Sequence, residues 1–175
     1  MNAPSLPPKA AALLAGYPPA LLAQVTPLLC AGGMQAALRR QHPEDHAVRD
    51  DRALFEFVQA MKQRGLRNAG PIASVRYDAK LRVVQQALGT HTRRTQVQGG
   101  QLKARREIRI ATLFKDVPLA FLEMIVAHEL AHLKEPEHDK AFYGLCCHLL
   151  PDYHQREFEL RLWLAAEAVA QTASS

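Results

Sequence analysis

With 175 residues, 48 % of them apolar and 22 % charged, the chain has the make-up of an ordinary globular protein of one domain, or of one domain with a small lobe. No apolar run approaches the ~20 residues needed to span a bilayer, so a membrane-embedded role is not expected. The net charge of +5 favours acidic partners, such as nucleic acid, nucleotides or acidic peptides, without choosing among them.

The N-terminus lacks a basic leader, and prolines at 4, 7, 8, 18 and 19 break its apolar stretches, so it does not read as a secretory signal. Three cysteines, an odd number, agree with a reducing compartment, and the expected location is cytoplasmic. Residues 19–41 suggest two short helices around Pro27. Residues 50–65 form a clearer amphipathic helix, in which Leu54, Phe57, Val58 and Met61 recur at helical spacing and Gly65 follows as a stop. Together these make residues 1–66 a helical N-terminal lobe, ahead of a core at 67–175. His42 and His46 are four apart, but Pro43 between them breaks the helix that would aim them at one ion.

From Gly70-Pro71 the period changes. Ala73, Val75 and Tyr77 alternate with Ser74 and Arg76, and Leu81 and Val83 flank Arg82 after Asp78-Ala79, a pattern that predicts a β-hairpin. A second hairpin is expected about Gly99-Gly100, between 94–98 and 101–112, with its best strand at Arg106–Thr112. An edge strand of this kind can pair with an extended peptide backbone. Residues 91–109 carry Arg93, Arg94, Lys103, Arg105, Arg106 and Arg109 against the single acid Glu107. Such a segment is either a charged edge that resists aggregation or a basic wall for phosphate or nucleic acid. No aromatic residue interleaves with these charges, so a stacking platform for bases is not expected.

Residues 118–134 predict a buried helix, since Pro118 can occupy its first turn and Leu119–Ala127 is almost wholly apolar. It ends in His128-Glu-Leu-Ala-His132. Histidines four apart lie ~40° apart around a helix and ~6 Å apart along it, so both imidazoles reach one ion. Glu129 lies beside them, placed to take a proton from a water that the ion holds, as the H-E-x-x-H pattern of zinc hydrolases requires. Two histidines and a glutamate on a buried helix also need polar partners, and a metal supplies one. Pro136 stops the helix near Lys134 and brings back His138 as a third ligand candidate. Glu135 and Glu137 compete with it; His138 is preferred because neutral ligands leave the ion its full charge, although carboxylate ligands are also common in catalytic zinc sites.

Beyond the metal loop, Asp139 can cap a helix whose core face is Ala141, Phe142, Leu145, Cys146 and Leu149. Cys146 and Cys147 point about 100° apart on that helix and read as small core residues. Asp152 with Gln155 has capping-box spacing for a last helix striped by Phe158, Leu162 and Trp163. Tyr143, His148, Tyr153 and His154 follow the ligands closely, and each is a candidate donor to an oxyanion, although such residues more often serve packing or lie at the surface.

The run from Ile125 to Tyr143 resembles the core of YgjP-like metal-dependent hydrolases, relatives of the SprT and WLM metallopeptidases. The likeness extends over roughly residues 105–165 and includes the aromatic pair Phe142-Tyr143 and the Pro-x-Tyr element Pro151-Asp-Tyr153. The family's Trp-Gly-Ser-Cys segment has only Leu88-Gly-Thr-His91 as a counterpart. The resemblance carries ligand roles to His128, His132 and His138 and the general-base role to Glu129. It implies one Zn2+ per chain and an α+β, zincin-like fold, with a small twisted antiparallel or mixed sheet packed on the active-site helix. The expected function is a zinc-dependent metallopeptidase. The alternatives are a nucleoside triphosphate pyrophosphatase, since YgjP-like proteins are also described as nucleotide pyrophosphatases, and a DNA-associated module whose zinc is structural. The partner is then a peptide or nucleotide substrate, with nucleic acid open to the basic hairpin; no membrane is involved, and the sequence does not set the oligomeric state.

Overall fold

The computed structural model describes residues 5–81 and 106–173. In chain order these form α1 (Pro8–Leu13), α2 (Pro19–Ala31), α3 (Met34–Gln41), α4 (Asp51–Gly65), β1 (Ser74–Asp78), β2 (Glu107–Ala111), a 3-10 turn (Thr112–Lys115), α5 (Leu119–Ala131), α6 (Lys140–Leu149) and α7 (Tyr153–Ala173). They divide into two compact units, one of residues 1–44 and 154–175, the other of residues 45–153. Among the described residues no single helix is long and apolar enough to cross a membrane.

The first unit is helical. Its core includes Ala10, Leu13, Leu14, Leu29, Leu160 and Ala165. The buried carboxylate of Glu159 accepts from Gln41 Nε2 at 2.6 Å and Gln155 Nε2 at 2.8 Å and lies 2.6 Å from His42 Nε2. The break expected at Pro27 falls elsewhere. α2 runs through Pro27 to Ala31, and the chain turns at Gly32 and Gly33, both at φ +81°. A proline removes one helical hydrogen bond, whereas two residues in a left-handed conformation end the helix outright.

Among the described residues the second unit holds the sheet and three helices. Asp50 caps α4, its carboxylate accepting from Ala53 N at 2.8 Å, and α4 buries Leu54, Val58 and Met61. Gly65 closes α4 for a different reason from the stop expected of it. Its φ is not positive, and a Cβ there would lie 2.5 Å from Leu149 Cδ2 of α6. The Leu149 side chain of a second helix, and not a left-handed turn, is what favours glycine here.

The sheet departs from the expected antiparallel or mixed arrangement. Among the described residues it has two strands, and β1 pairs with β2 in parallel, with Val75 opposite Ile108 and Tyr77 opposite Ile110. A turn does follow Asp78, where Leu81 N–H donates to the Asp78 carbonyl at 3.3 Å, and among the described residues the partner of β1 is β2, which follows a long intervening stretch. Parallel pairing requires such a crossover. Alternation identified both strands and is blind to their direction, because side chains alternate alike in either pairing. Val75, Ile108 and Ile110 are buried on one face. The other face carries a ladder of ion pairs, Arg76 to Glu107 at 2.8 Å and Arg109 to Glu107 at 3.3 Å and Asp78 at 3.4 Å. The first arm and turn of the second hairpin, at 94–100, lie outside the described residues. So do Arg82 and Val83 of the first hairpin, Leu88–His91, and residues 91–105 of the basic segment.

Candidate metal centre

α5 packs against β2, α4 and α6 and is apolar almost all round, as a helix enclosed by its neighbours must be. Leu122, Ile125, Val126 and Ala127 are fully buried, and Pro118 begins the helix, its carbonyl accepting from Phe121 N at 3.0 Å. This frame fixes His128, itself 4 % exposed, and His132 one turn on. The chain then tightens, with Lys134 N and Glu135 N both donating to the Ala131 carbonyl, and passes Pro136 into a second short turn. Asp139 N donates to the Glu137 carbonyl at 2.9 Å, and the Asp139 carboxylate caps α6 by accepting from Phe142 N at 3.0 Å. His138 is thereby held between a turn and a helix cap.

The three imidazoles converge. Their Nε2 atoms form a triangle with sides of 3.2 Å (His128 to His132), 3.0 Å (His132 to His138) and 3.2 Å (His138 to His128). Among the described residues, these three are the group whose donor atoms can meet on one ion, and no carboxylate joins them. Neither Glu135 nor Glu137, the competing candidates, is part of it. Glu135 meets the cluster through its carbonyl, to which His132 Nδ1–H donates at 3.0 Å.

That bond decides the chemistry of His132. A carbonyl only accepts, so the proton sits on Nδ1 and the neutral ring turns a bare lone pair from Nε2 into the triangle. His128 Nδ1 is likewise occupied, 2.8 Å from the hydroxyl of Tyr153. Three imidazole nitrogens about 3 Å apart repel as lone pairs and suit a shared cation: a tetrahedral ion with bonds of about 2.0–2.1 Å separates its ligands by roughly 3.3 Å. The donor set fits a divalent metal.

Phe142, fully buried in the first turn of α6, packs on all three rings, with centroids 4.9 Å from His128, 4.4 Å from His132 and 4.7 Å from His138. The sequence placed Phe142 on a core face, but periodicity carries no sign that this face is the floor of the histidine cluster. Glu129 is half-buried beside His128, and burial pushes its carboxyl up to about 8. Removal from water penalises the ionised form, and a cation nearby acts in the opposite direction.

The candidate oxyanion donors separate. Tyr153 is fully buried and its hydroxyl engages His128. The ring of Tyr143 lies 6.3 Å from those of His138 and Tyr153. His148 is turned away, its Nε2 3.1 Å from the Gly65 carbonyl, and exposed His154 lies near Glu157 in the other unit. The pair His42 and His46 does not converge: His42 meets Glu159, and His46 meets the Phe114 carbonyl at 3.0 Å. Cys30, Cys146 and Cys147 form no disulfide, and Cys146 is buried on α6 as its spacing suggested.

A family model described as YgjP-like, metallopeptidase domain, matches residues 34–162. A protein of Escherichia coli (strain K12) named UTP pyrophosphatase is 51 % identical over 158 residues, which cover 90 % of this chain and 95 % of that protein. No solved structure matches the chain.

Proposed function

The chain belongs to the YgjP-like family, and from that premise we propose that it is a zinc-dependent hydrolase that cleaves a nucleoside triphosphate to release pyrophosphate. The observation that carries the choice of substrate is the 51 % identity, over nearly the whole of both chains, to a protein named UTP pyrophosphatase. Sequence reasoning ranked a peptide first and a nucleotide second, and this likeness reverses the order. Net positive charge favours the same substrate, although it selects no particular anion.

In this reading His128, His132 and His138 hold the ion, and the setting of the site is a zincin-like fold. Zinc bound there supplies Lewis acidity toward water and toward the phosphoryl oxygens. Glu129, adjacent to the first ligand on α5, accepts a proton from the attacking water. The water oxygen forms a bond to the α-phosphorus, the bond from that phosphorus to the bridging oxygen breaks, and Glu129 returns the proton to the departing pyrophosphate. Tyr153 and Glu135 orient the imidazoles, and Phe142 keeps solvent from beneath them. Three cysteines outside any disulfide agree with a reducing, cytoplasmic setting.

The family's description as a metallopeptidase domain favours a second reading, peptide hydrolysis by the same groups. One assay panel separates the two: nucleoside triphosphates, UTP among them, against mixed peptides and unfolded protein, each after metal removal and zinc restoration, with Glu129→Gln as the blank. Pyrophosphate release that requires both zinc and Glu129 is the expected result. Peptide cleavage with those requirements, and no pyrophosphate, would sink the nucleotide reading.

A further inference from the structure

We propose that Tyr153 is a positioning residue of the metal centre: its hydroxyl, 2.8 Å from His128 Nδ1, orients the imidazole and accepts from Nδ1–H when Nε2 faces the ion. The proposal rests on reading the three histidines as a metal site. His132 takes its orientation from the carbonyl of Glu135, a backbone group that can only accept and that no side-chain change removes. At His128 Nδ1 the group 2.8 Å away is a phenol, a side-chain group that substitution can remove and that can either donate or accept. If the phenol donated, His128 would carry its proton on Nε2, pointing into the triangle, and would be lost as a ligand. With the phenol accepting, all three nitrogens face one point.

The surroundings hold the phenol in place. Tyr153 has no exposed surface, its N–H donates to the Leu150 carbonyl at 2.9 Å, and its ring lies nearly parallel to that of His128, with centroids 6.4 Å apart and planes inclined by 22°. Phe142 meets the His128 ring edge-on, at 76°. The imidazole is thus held by packing on Phe142 and by a hydrogen bond at Nδ1. Partners of this kind at a metal-bound histidine typically change metal affinity by 10- to 100-fold when removed.

The test is metal affinity, measured by competition with a chromophoric chelator for Zn2+ and checked with Co2+, on wild type, Tyr153→Phe, Tyr153→Gln and Tyr77→Phe. Tyr77 is the control, because its hydroxyl donates to the Val48 carbonyl at 2.7 Å, so its loss also removes a part-buried hydrogen bond. Tyr153→Phe is expected to weaken Zn2+ by 10- to 100-fold. Tyr77→Phe should leave the affinity within about twofold of wild type, since that change reaches no ligand. Tyr153→Gln, which keeps a hydrogen-bonding group and loses the ring, should bind more tightly than the Phe variant. Affinity in Tyr153→Phe within twofold of wild type, or in Tyr153→Gln below that of the Phe variant, would overturn the role of the hydroxyl. Wild type that binds no Zn2+ or Co2+ would instead overturn the metal site itself, and the two failures are distinguishable.

Discussion

At the scale of single residues, the histidine triangle makes an asymmetric prediction. Each of His128→Ala, His132→Ala and His138→Ala should abolish stoichiometric zinc, because two imidazoles hold the ion much less well than three. Glu135→Ala and Glu137→Ala should retain it, since neither carboxylate belongs to the group. Metal analysis of the purified variants checks this, and a larger loss in either glutamate variant than in His138→Ala would refute the trihistidine site. Glu129→Gln should keep zinc and lose activity, as an amide cannot take the proton. A second residue sets a pH dependence. His46 Nε2–H donates to the Phe114 carbonyl at 3.0 Å, while its Nδ1 accepts from Val48 N–H at 3.2 Å, and only the neutral ring does both. Burial, the largest cause, lowers its pKa below the ordinary 6.5. The unfolded chain therefore binds the proton more readily, so the contribution of His46 is present above about pH 6.5 and fades as pH falls from there through the lowered folded-state value. Wild type should lose about 2 °C more of its melting temperature than His46→Gln between pH 7.5 and 5.5. Parallel curves for the two proteins would count against it. These two cases differ in legibility. The spacing of His128, His132 and His138 announces a shared target, whereas His46 is bound to a carbonyl far along the chain, which no local pattern encodes.

At the scale of elements, the sequence revealed where helices and strands lie better than how they join. The helices at Asp51–Gly65, Leu119–Ala131 and Lys140–Leu149 follow from period, proline and Asp caps, because those signals act within one turn of the chain. Strand direction and partner are settled by what packs on each face, and Val75 reads the same whichever way Ile108 runs beside it. The break after α2 shows the same limit in a local form. Pro27 is the stronger breaker by propensity, yet the chain turns where Gly32 takes φ +81° and ψ 178°, a combination nearly confined to glycine. A Cβ at Gly32 meets nothing within 4 Å, so any cost of Gly32→Ala is conformational and not steric. That variant should lose about 1–3 kcal/mol of stability. Pro27→Ala should gain up to roughly 3 kcal/mol, because it restores a donor inside a helix. Denaturant midpoints of both variants measure the pair, and a neutral Gly32→Ala would show that the chain can turn without the left-handed residue.

At the scale of the whole molecule, a triphosphate and a peptide ask different things of the same metal centre. A nucleoside triphosphate brings about four negative charges, which call for several guanidinium or ammonium groups and make binding fall steeply with salt. A neutral peptide calls for a strand edge and is nearly indifferent to salt. The excess of positive charge is densest in residues 91–109, but its members are not equivalent. Arg109 is engaged on the sheet, reaching Glu107 at 3.3 Å and Asp78 at 3.4 Å, and these carboxylates raise its pKa further. Its charge is matched by acids already in place, so Arg109→Ala should leave KM for a nucleoside triphosphate within about twofold. Arg93 and Arg94 have no acidic neighbour in sequence from His91 to Arg106. If they serve the triphosphate, the double change to Ala should raise KM by about tenfold, equivalent to about 1.4 kcal/mol of lost attraction. The same change should flatten the dependence of KM on salt between 50 and 300 mM (about those concentrations), since each removed charge removes screened attraction. Steady-state pyrophosphate release by wild type, Arg109→Ala and the double variant, at both salt concentrations, decides the matter. Equal KM values and equal salt slopes in all three proteins would assign the basic segment to solubility, leaving triphosphate recognition to be sought on the residues around His128, His132 and His138.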